Sequence, residues 1–434
     1  MTAQQLRLPH LGQAFEWRSP GETTFVGQLN EPIHRWFRLT ASYAPELVRD
    51  ILDHFGVSQD DCVLDPFCGV GTTLLVCQER GASSVGVEIN PFLAWVSRVK
   101  IRDYSSHCER LSQAVTDFMN ELEQSVMADR SSGLDNGEFF DRADYAIWIP
   151  AIHNVFRWWS PTVLRQLVLS RMCLSQFQGD SMVHDFLHMG LHGVLIDISN
   201  IKRSRVSLSF GATIRDSADL ITLLRDQYGK MLSDVASVQR PKPDKAVVLD
   251  GDARSLTTLL KDSRPATCIV TSPPYPNRFS YVRETRPHLF FGEFICSASQ
   301  VGDLEMNTIG GTWGRATSTL EDYEPLQEPR LRALIDPVAN LIRPHGAPMA
   351  NYVQRYYDAM WEHAQNVAAI TETGVQMAYV IGNSKFYGVE LPADELLARV
   401  FELQGFEAVS IVQMRRRNSK RGLRECVVFM RKAV

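Results

Sequence analysis

The sequence predicts an α/β fold: a mostly parallel sheet, interrupted by a long helical segment and closed by an antiparallel hairpin. Three observations predict it. An apolar pair, Val63-Leu64, leads into Asp65-Pro-Phe-Cys-Gly69-Val-Gly71-Thr-Thr-Leu-Leu75, which reads as strand, glycine turn and helix. A second run, Thr267-Cys-Ile-Val270, ends at Thr271-Ser272-Pro273-Pro274-Tyr275, where two prolines stop a strand and fix the backbone. Two further apolar stretches, 408–414 and 425–430, flank a strongly basic run, Arg415-Arg-Arg-Asn-Ser-Lys-Arg-Gly-Leu-Arg424, the signature of a hairpin and its loop.

Residues 1–29 are polar and mixed, an N-terminal arm. In the next segment Pro45 suits the first turn of a helix. Leu47, Val48, Ile51, Leu52 and Phe55 recur at helical spacing before Gly56 ends it. Beyond the glycine turn, Thr72 and Thr73 are N-cap candidates, and Gly81 closes the helix. A second strand, 84–90, carries Glu88 at its tip, about 20 residues after the turn, where nucleotide-binding sheets hold a ribose diol. A third glycine is absent, and so is a Gly-x-x-x-x-Gly-Lys run, which leaves no pyrophosphate signature. The combination points to an adenosine-containing cofactor.

From 101 to 245 the strand rhythm stops. Residues 107–127 read as an amphipathic helix and 129–144 as loop. Ser160-Pro161 opens another helix, and 182–198 and 218–238 follow. This helical insertion is large enough to form its own small core. Within it, Lys202, Arg203 and Arg205 make a compact basic turn, either a solvated loop or a phosphate clamp. At 246–255 the sheet resumes, with Asp252 placed to cap a helix. Residues 276–325 are irregular, and Asn277, Arg278, Tyr281, Arg283, Arg286 and Arg315 interleave with glycines there. That composition suits contacts to phosphates and stacked bases, as does the basic run with Arg415, Arg416 and Arg417. The remainder alternates again: helices at 330–342 and 351–370, a strand at 376–384, a helix at 395–404 and the closing hairpin.

Composition narrows the classes. With 44% hydrophobic and 22% charged residues, the chain of 434 residues is an ordinary globular protein of two or three domains, or one with a large insert. Its apolar runs are too short to cross a membrane, and the first ten residues hold no signal-peptide core, so a cytoplasmic location is expected. The eight cysteines form no Cys-x-x-Cys pair and read as buried, reduced thiols, with no disulfide framework and no metal. A net charge of −5 excludes a wholly basic surface but allows a local basic groove.

On these residues the chain resembles S-adenosylmethionine-dependent methyltransferases of the branch that modifies exocyclic amines in DNA. Residues 65–90 are similar to its motif I and following strand, and Ser272-Pro-Pro-Tyr275 to its catalytic motif IV. Residues 35–48 look like motif X and 246–255 like motif III, in which an acidic side chain meets the adenine amine. The resemblance implies a class I methyltransferase fold, a Rossmann-like sheet with a C-terminal antiparallel hairpin, here carrying a large helical insertion. The catalytic domain would be 30–100 plus 246–434, and the insertion 101–245 a DNA-recognition or interaction region. S-adenosylmethionine would be bound by Tyr43, Asp65, Pro66, Phe67, Cys68, Gly69, Gly71, Thr72, Thr73, Glu88, Ile89, Asn90, Asp252 and Ala253. Catalysis would fall to Ser272, Pro273, Pro274 and Tyr275. The partners implied are DNA and cognate restriction or defence-system proteins, with no membrane. The order X, I, insert, III, IV differs from the usual arrangements of the branch.

Methylating an aryl amine is a direct displacement on a sulfonium. Hydrogen bonds from the amine to the Ser272 hydroxyl and the Pro273 carbonyl would favour a pyramidal nitrogen, and Tyr275 would stack on the extruded base. Carbon-5 methylation of cytosine needs a Pro-Cys nucleophile, and this chain contains no such dipeptide. Serine before Pro-Pro-Tyr is more typical of cytosine-N4 enzymes, and Asp or Asn of adenine-N6 enzymes, so cytosine-N4 is expected with adenine-N6 the alternative. Transfer-RNA guanine-N2 methyltransferases share Asp-Pro-Phe-Cys-Gly. They usually carry Asp-Pro-Pro-Tyr and an N-terminal RNA-binding domain, for which the residues before 30 leave no room. A non-catalytic binding module is the last reading, and the intact Gly69, Gly71, Glu88, Ser272, Pro273 and Tyr275 speak against it.

Overall fold

The computed structural model describes residues 27, 29–203, 208–210, 214–216, 219–238, 245–417 and 422–433. Most of the 1–29 arm, and Arg205, lie outside them. Seven strands form the main sheet: β1 (Cys62–Asp65), β2 (Ser83–Glu88), β3 (Ala246–Asp250), β4 (Cys268–Thr271), β5 (Gln376–Gly382), β6 (Phe406–Arg416) and β7 (Arg424–Lys432). Their order is β3-β2-β1-β4-β5-β7-β6. β7 runs antiparallel to both neighbours, and every other pairing is parallel. This is the class I methyltransferase sheet that the motifs imply.

Alternation along the strands covers both faces. Leu64, Met377 and Tyr379 pack under helices Pro329–Ile342, Ala347–Ile370 and Ala393–Glu402. Val63, Ala378 and Val380 pack under Pro45–Phe55 and Thr72–Arg80. The strand order reverses between β1 and β4, so their carboxyl ends border the crevice where such sheets bind ligands. Those ends are Asp65 and Thr271, each entering one of the two sequence turns.

Several expectations are corrected. Gly71, with φ of 80°, caps the helix after the glycine turn, and Thr72 and Thr73 lie inside its first turn. Ser255, not Asp252, precedes the short helix Leu256–Leu259. Residues 129–144 hold two short helices, Asn136–Asp141 and Ala143–Ala146, the first closed by a capping box of Asp135 and Glu138. The basic turn at 200–205 begins as a strand, Ile201–Arg203, paired antiparallel with Leu208–Phe210. Residues 276–325 contain helices Tyr281–Phe291 and Ala298–Asn307. Pro287 argues against the first in sequence, but the Ser280 cap and the burial of Val282, Leu289, Phe290 and Phe291 outweigh it. Cys296, at the turn between these two helices, is exposed.

Residues 101–245 share a core with the catalytic part. Leu111, Phe118, Leu187 and Leu224 belong to one buried cluster with Phe37, Phe92, Phe290 and Phe291. One polar link between them is Asp234, 1% exposed. It accepts the Ile33 amide at 2.8 Å, Trp36 Nε1 at 3.0 Å and Arg35 Nε at 3.1 Å. Among the described residues no helix is long and apolar enough to cross a membrane.

Candidate active site

Asp65 ends β1 with 1% of its surface exposed. Its carboxylate accepts Thr271 Oγ1 at 2.5 Å, Thr73 Oγ1 at 2.6 Å, Tyr43 Oη at 3.0 Å and the Phe67 amide at 3.1 Å. Burial pushes its pKa up against the pull of these donors. Four donors saturate the carboxylate, so Asp65 and Tyr43 brace the crevice from behind. Through Asp65, segment 35–48, the glycine turn and the strand before Ser272 meet at one group.

The glycine turn is fastened to the end of β2. Glu88 accepts the Gly69 amide and the Asn90 amide, each at 2.9 Å. The Asn90 side chain caps the next helix through Phe92 and Leu93. Gly71 has no substitute: besides its left-handed φ, a Cβ there would lie 3.0 Å from Ser97 Oγ, which donates to the Gly69 carbonyl at 2.7 Å. Cys68, Thr72 and Thr73 are buried around the turn, while Phe67 and Ile89 are half-buried.

Burial raises the Glu88 pKa to about 7. A ribose diol donates to an ionised carboxylate, so the reading of Glu88 as the ribose ligand predicts that cofactor affinity rises with pH, by up to about tenfold per unit below pH 7. Calorimetry across that range measures it, and Glu88→Gln flattens the profile. The same shift makes the cofactor-free fold lose stability as pH rises through about 7, because a raised carboxyl pKa favours folding in the protonated form.

The third loop follows β3. Asp252 is held by Arg254, whose Nη2 reaches it at 2.5 Å and the Asn307 carbonyl at 2.8 Å. Behind Ala253 sits His363, fully buried. One ring nitrogen, Nδ1, meets the Ala253 carbonyl at 2.8 Å, and Nε2 meets Tyr379 Oη at 2.8 Å. A carbonyl only accepts, so Nδ1 carries the proton and Nε2 accepts from the tyrosine. Burial lowers the ring's pKa to about 4, which keeps it neutral. The Phe67 ring stands edge-on to His363, with centroids 4.9 Å apart. His363 thus supports two loops at once, and the sequence gives no sign of it: it reads as one core position of a long helix. His363→Ala is expected to weaken S-adenosylmethionine binding about tenfold, read by calorimetry; unchanged affinity in the folded variant would count against that role.

At the proline turn, Ser272 Oγ donates to the Val380 carbonyl at 3.0 Å. Its proton is thereby committed inward, and its oxygen keeps acceptor capacity beside the Tyr275 side chain. The Pro274 carbonyl accepts Tyr356 Oη at 2.8 Å, whereas no donor among the described residues reaches the Pro273 carbonyl. The Tyr275 ring lies against Gly382, where a Cβ would come within 3.0 Å of it. Arg417, from the basic hairpin, stands over that ring at 5.9 Å.

The donor set fits an adenosine-bearing sulfonium. Two carboxylates, Glu88 and Asp252, stand at the loop tips, and the glycine turn from Asp65 to Thr73 contains no lysine or arginine. A phosphate would need the reverse.

The basic candidates separate. Arg315 pairs with Asp303, and Arg415 with Glu425 at 2.6 Å, so their charges are compensated. Arg278, Arg283, Arg416 and Asn277 are exposed, and Tyr281 is half-buried beside Phe279. Arg286 lies over the Trp313 ring at 5.1 Å. Lys202 and Arg203 occupy the first strand of the small ribbon. Among the described residues, Glu31, His34 and Glu79 gather closely enough for a metal, but Arg49 is paired to both glutamates there.

Comparison with known proteins adds the following. A family model described as DNA methylase matches residues 19–96, which hold the 35–48 segment, the glycine turn and Glu88. The chain is 20% identical over 430 residues to the Type II methyltransferase M.BsoBI of Geobacillus stearothermophilus, covering 91% of this chain and 82% of that protein. It is 22% identical over 460 residues to the Type II methyltransferase M.AvaI of Nostoc sp., covering 94% and 88%. Over 138 residues it is 29% identical to the Type II methyltransferase M.MjaII of Methanocaldococcus jannaschii, covering 32% and 24%.

Proposed function

We propose that the chain, which the DNA methylase family model and the Type II relatives place with the S-adenosylmethionine-dependent DNA amino-methyltransferases, methylates the N4 amine of cytosine at a specific DNA sequence. We assign it to the modification half of a restriction-modification or other defence system, as the Type II relatives suggest.

The observation that carries this reading is the pair of acceptors at the proline turn. Ser272 gives its proton to Val380, and the Pro273 carbonyl has no donor among the described residues. Two acceptors on adjacent residues are suited to take both N–H bonds of an exocyclic amine and to direct its lone pair away from the ring. S-adenosylmethionine supplies the electrophilic methyl group when bound. Tyr275, stiffened by Pro273 and Pro274 and seated on Gly382, provides the stacking face for a base taken out of the duplex. No strong base is needed before attack, since the proton leaves the nitrogen afterwards. Glu88 and Asp252 hold the adenosine, with Asp252 sharing its oxygens between Arg254 and the adenine amine. The preference for cytosine rests on Ser272 standing where adenine-N6 enzymes more often carry Asp or Asn.

The test is to incubate the protein with DNA and labelled S-adenosylmethionine and identify the methylated nucleoside by mass spectrometry. N4-methylcytosine is expected. N6-methyladenine would overturn the base assignment, and label confined to RNA would overturn the substrate class.

A further inference from the structure

Among the described residues most arginines are paired with a carboxylate. Arg35, Arg80, Arg102, Arg165, Arg225 and Arg332 each face a carboxylate. Three that are not, among the described residues, belong to one stretch of surface: Arg157, Arg283 and Arg286. It has two sources, the 101–245 insert and the helix Tyr281–Phe291, which starts six residues after Tyr275.

Aromatic rings join the two. The exposed Arg157 lies 4.1 Å over the Phe210 ring. Phe210 meets Trp158 edge-to-face at 5.0 Å. Arg286 stands over Trp158 at 5.9 Å and over Trp313 at 5.1 Å, and its buried Nε has no hydrogen-bond partner. Partial burial lowers the Arg286 pKa, with Arg283 adding to the effect.

Hydrogen bonds hold this face in place. The ribbon formed by Ile201–Arg203 and Leu208–Phe210 is tied to the helix by the Leu208 amide, which donates to Glu284 at 2.7 Å. One residue along, Thr285 Oγ1 accepts Asn90 Nδ2 at 2.8 Å, which fixes the same helix to the cofactor loop. Glu305 accepts the Thr312 and Trp313 amides at 2.8 and 3.0 Å and Ser280 Oγ at 2.7 Å, which seats Trp313. Among the described residues these glutamates accept N–H and O–H donors, and neither forms an ion pair with Arg157, Arg283 or Arg286. Exposed Ser209, in register with Lys202, takes the side of the ribbon opposite Phe210.

We propose that this face, with Arg157, Arg283 and Arg286 on an aromatic bed and the ribbon at its margin, docks the sugar-phosphate backbone of the duplex that flanks the extruded base. Arginines without carboxylate partners and backed by rings are suited to phosphate oxygens, and a two-stranded ribbon fits the major groove beside them. The helix Tyr281–Phe291 sets the distance between this duplex and the proline turn. The inference rests on the DNA-methylating function proposed above.

The experiment measures methyl transfer to duplex DNA as a function of salt, with S-adenosylmethionine binding followed separately by calorimetry. Arg157→Ala and Arg286→Ala are each expected to raise the KM for DNA about tenfold and to lower the log–log salt slope by about one, with cofactor affinity unchanged. Arg286→Lys, which keeps the charge, is expected to restore the slope. Arg157→Ala changes an exposed residue and keeps the test independent of folding at Arg286. Variants with the wild-type KM and slope would overturn the inference while leaving the function intact. A wild-type protein that binds the cofactor but transfers no methyl group to DNA would remove the function, and the inference with it.

Discussion

Ser272→Ala is expected to lower the single-turnover rate of methyl transfer by about two to three orders of magnitude, with S-adenosylmethionine affinity unchanged. The hydroxyl has one proton, given to Val380, and its remaining capacity is for accepting. Removing it leaves one of the amine's N–H bonds without a partner as the nitrogen turns pyramidal, and this interaction strengthens only as the transition state forms. The Val380 carbonyl also loses its donor, at a cost of about 1 kcal/mol in stability. The fall should therefore appear at saturating DNA and cofactor, not as a rise in KM. A Ser272→Ala protein that methylates at the wild-type rate would remove Ser272 from the mechanism.

Asp65→Ala is expected to have the largest effect on the fold. It leaves Tyr43, Thr73, Thr271 and the Phe67 amide without the acceptor that all four use. Tyr43 and Thr73 also contact each other, and each buried donor that finds no other acceptor costs about 1–3 kcal/mol. Relaxation and entering water reduce the sum, so a loss of about 3–5 kcal/mol in unfolding free energy is the expected size. Urea unfolding checks it. Cofactor binding should fail as well, because Asp65 sets the entry to the glycine turn; a wild-type urea midpoint would show that it braces nothing. Asp65→Asn is predicted to be milder, since its amide oxygen still accepts while its nitrogen opposes the remaining donors.

The turns that carry both residues were legible because each is a short, local transition in the chain. Asp65 through Thr73 and Thr271 through Tyr275 are strand-to-turn transitions, and glycine and proline mark these strongly. The place of Glu88 at the end of β2 was legible from its spacing, and the hairpin from the basic run between two apolar stretches. What escaped depends on pairs far apart in sequence. His363 meets Ala253 across 110 residues, and nothing in residues 347–370 separates it from its apolar neighbours. The helix Tyr281–Phe291 was hidden by Pro287, whose local preference tertiary burial overrides. The ribbon at 201–210 was hidden because each strand has three residues, too few for a period to emerge.

Asp234 has a consequence for engineering. Its carboxylate joins the helix Leu220–Ser237 to Ile33, Arg35 and Trp36, nearly 200 residues earlier, and the Trp36 ring packs against Phe186 in the same insert. Residues 101–245 are therefore no interchangeable cassette. A chimera that imports this stretch from a relative would bring a foreign counterpart to Asp234 against a native Arg35 and Trp36. The graft has to carry residues 31–39 with it, two cut pieces moved as one, or the segment from Ile33 to Trp36 loses its buried anchor.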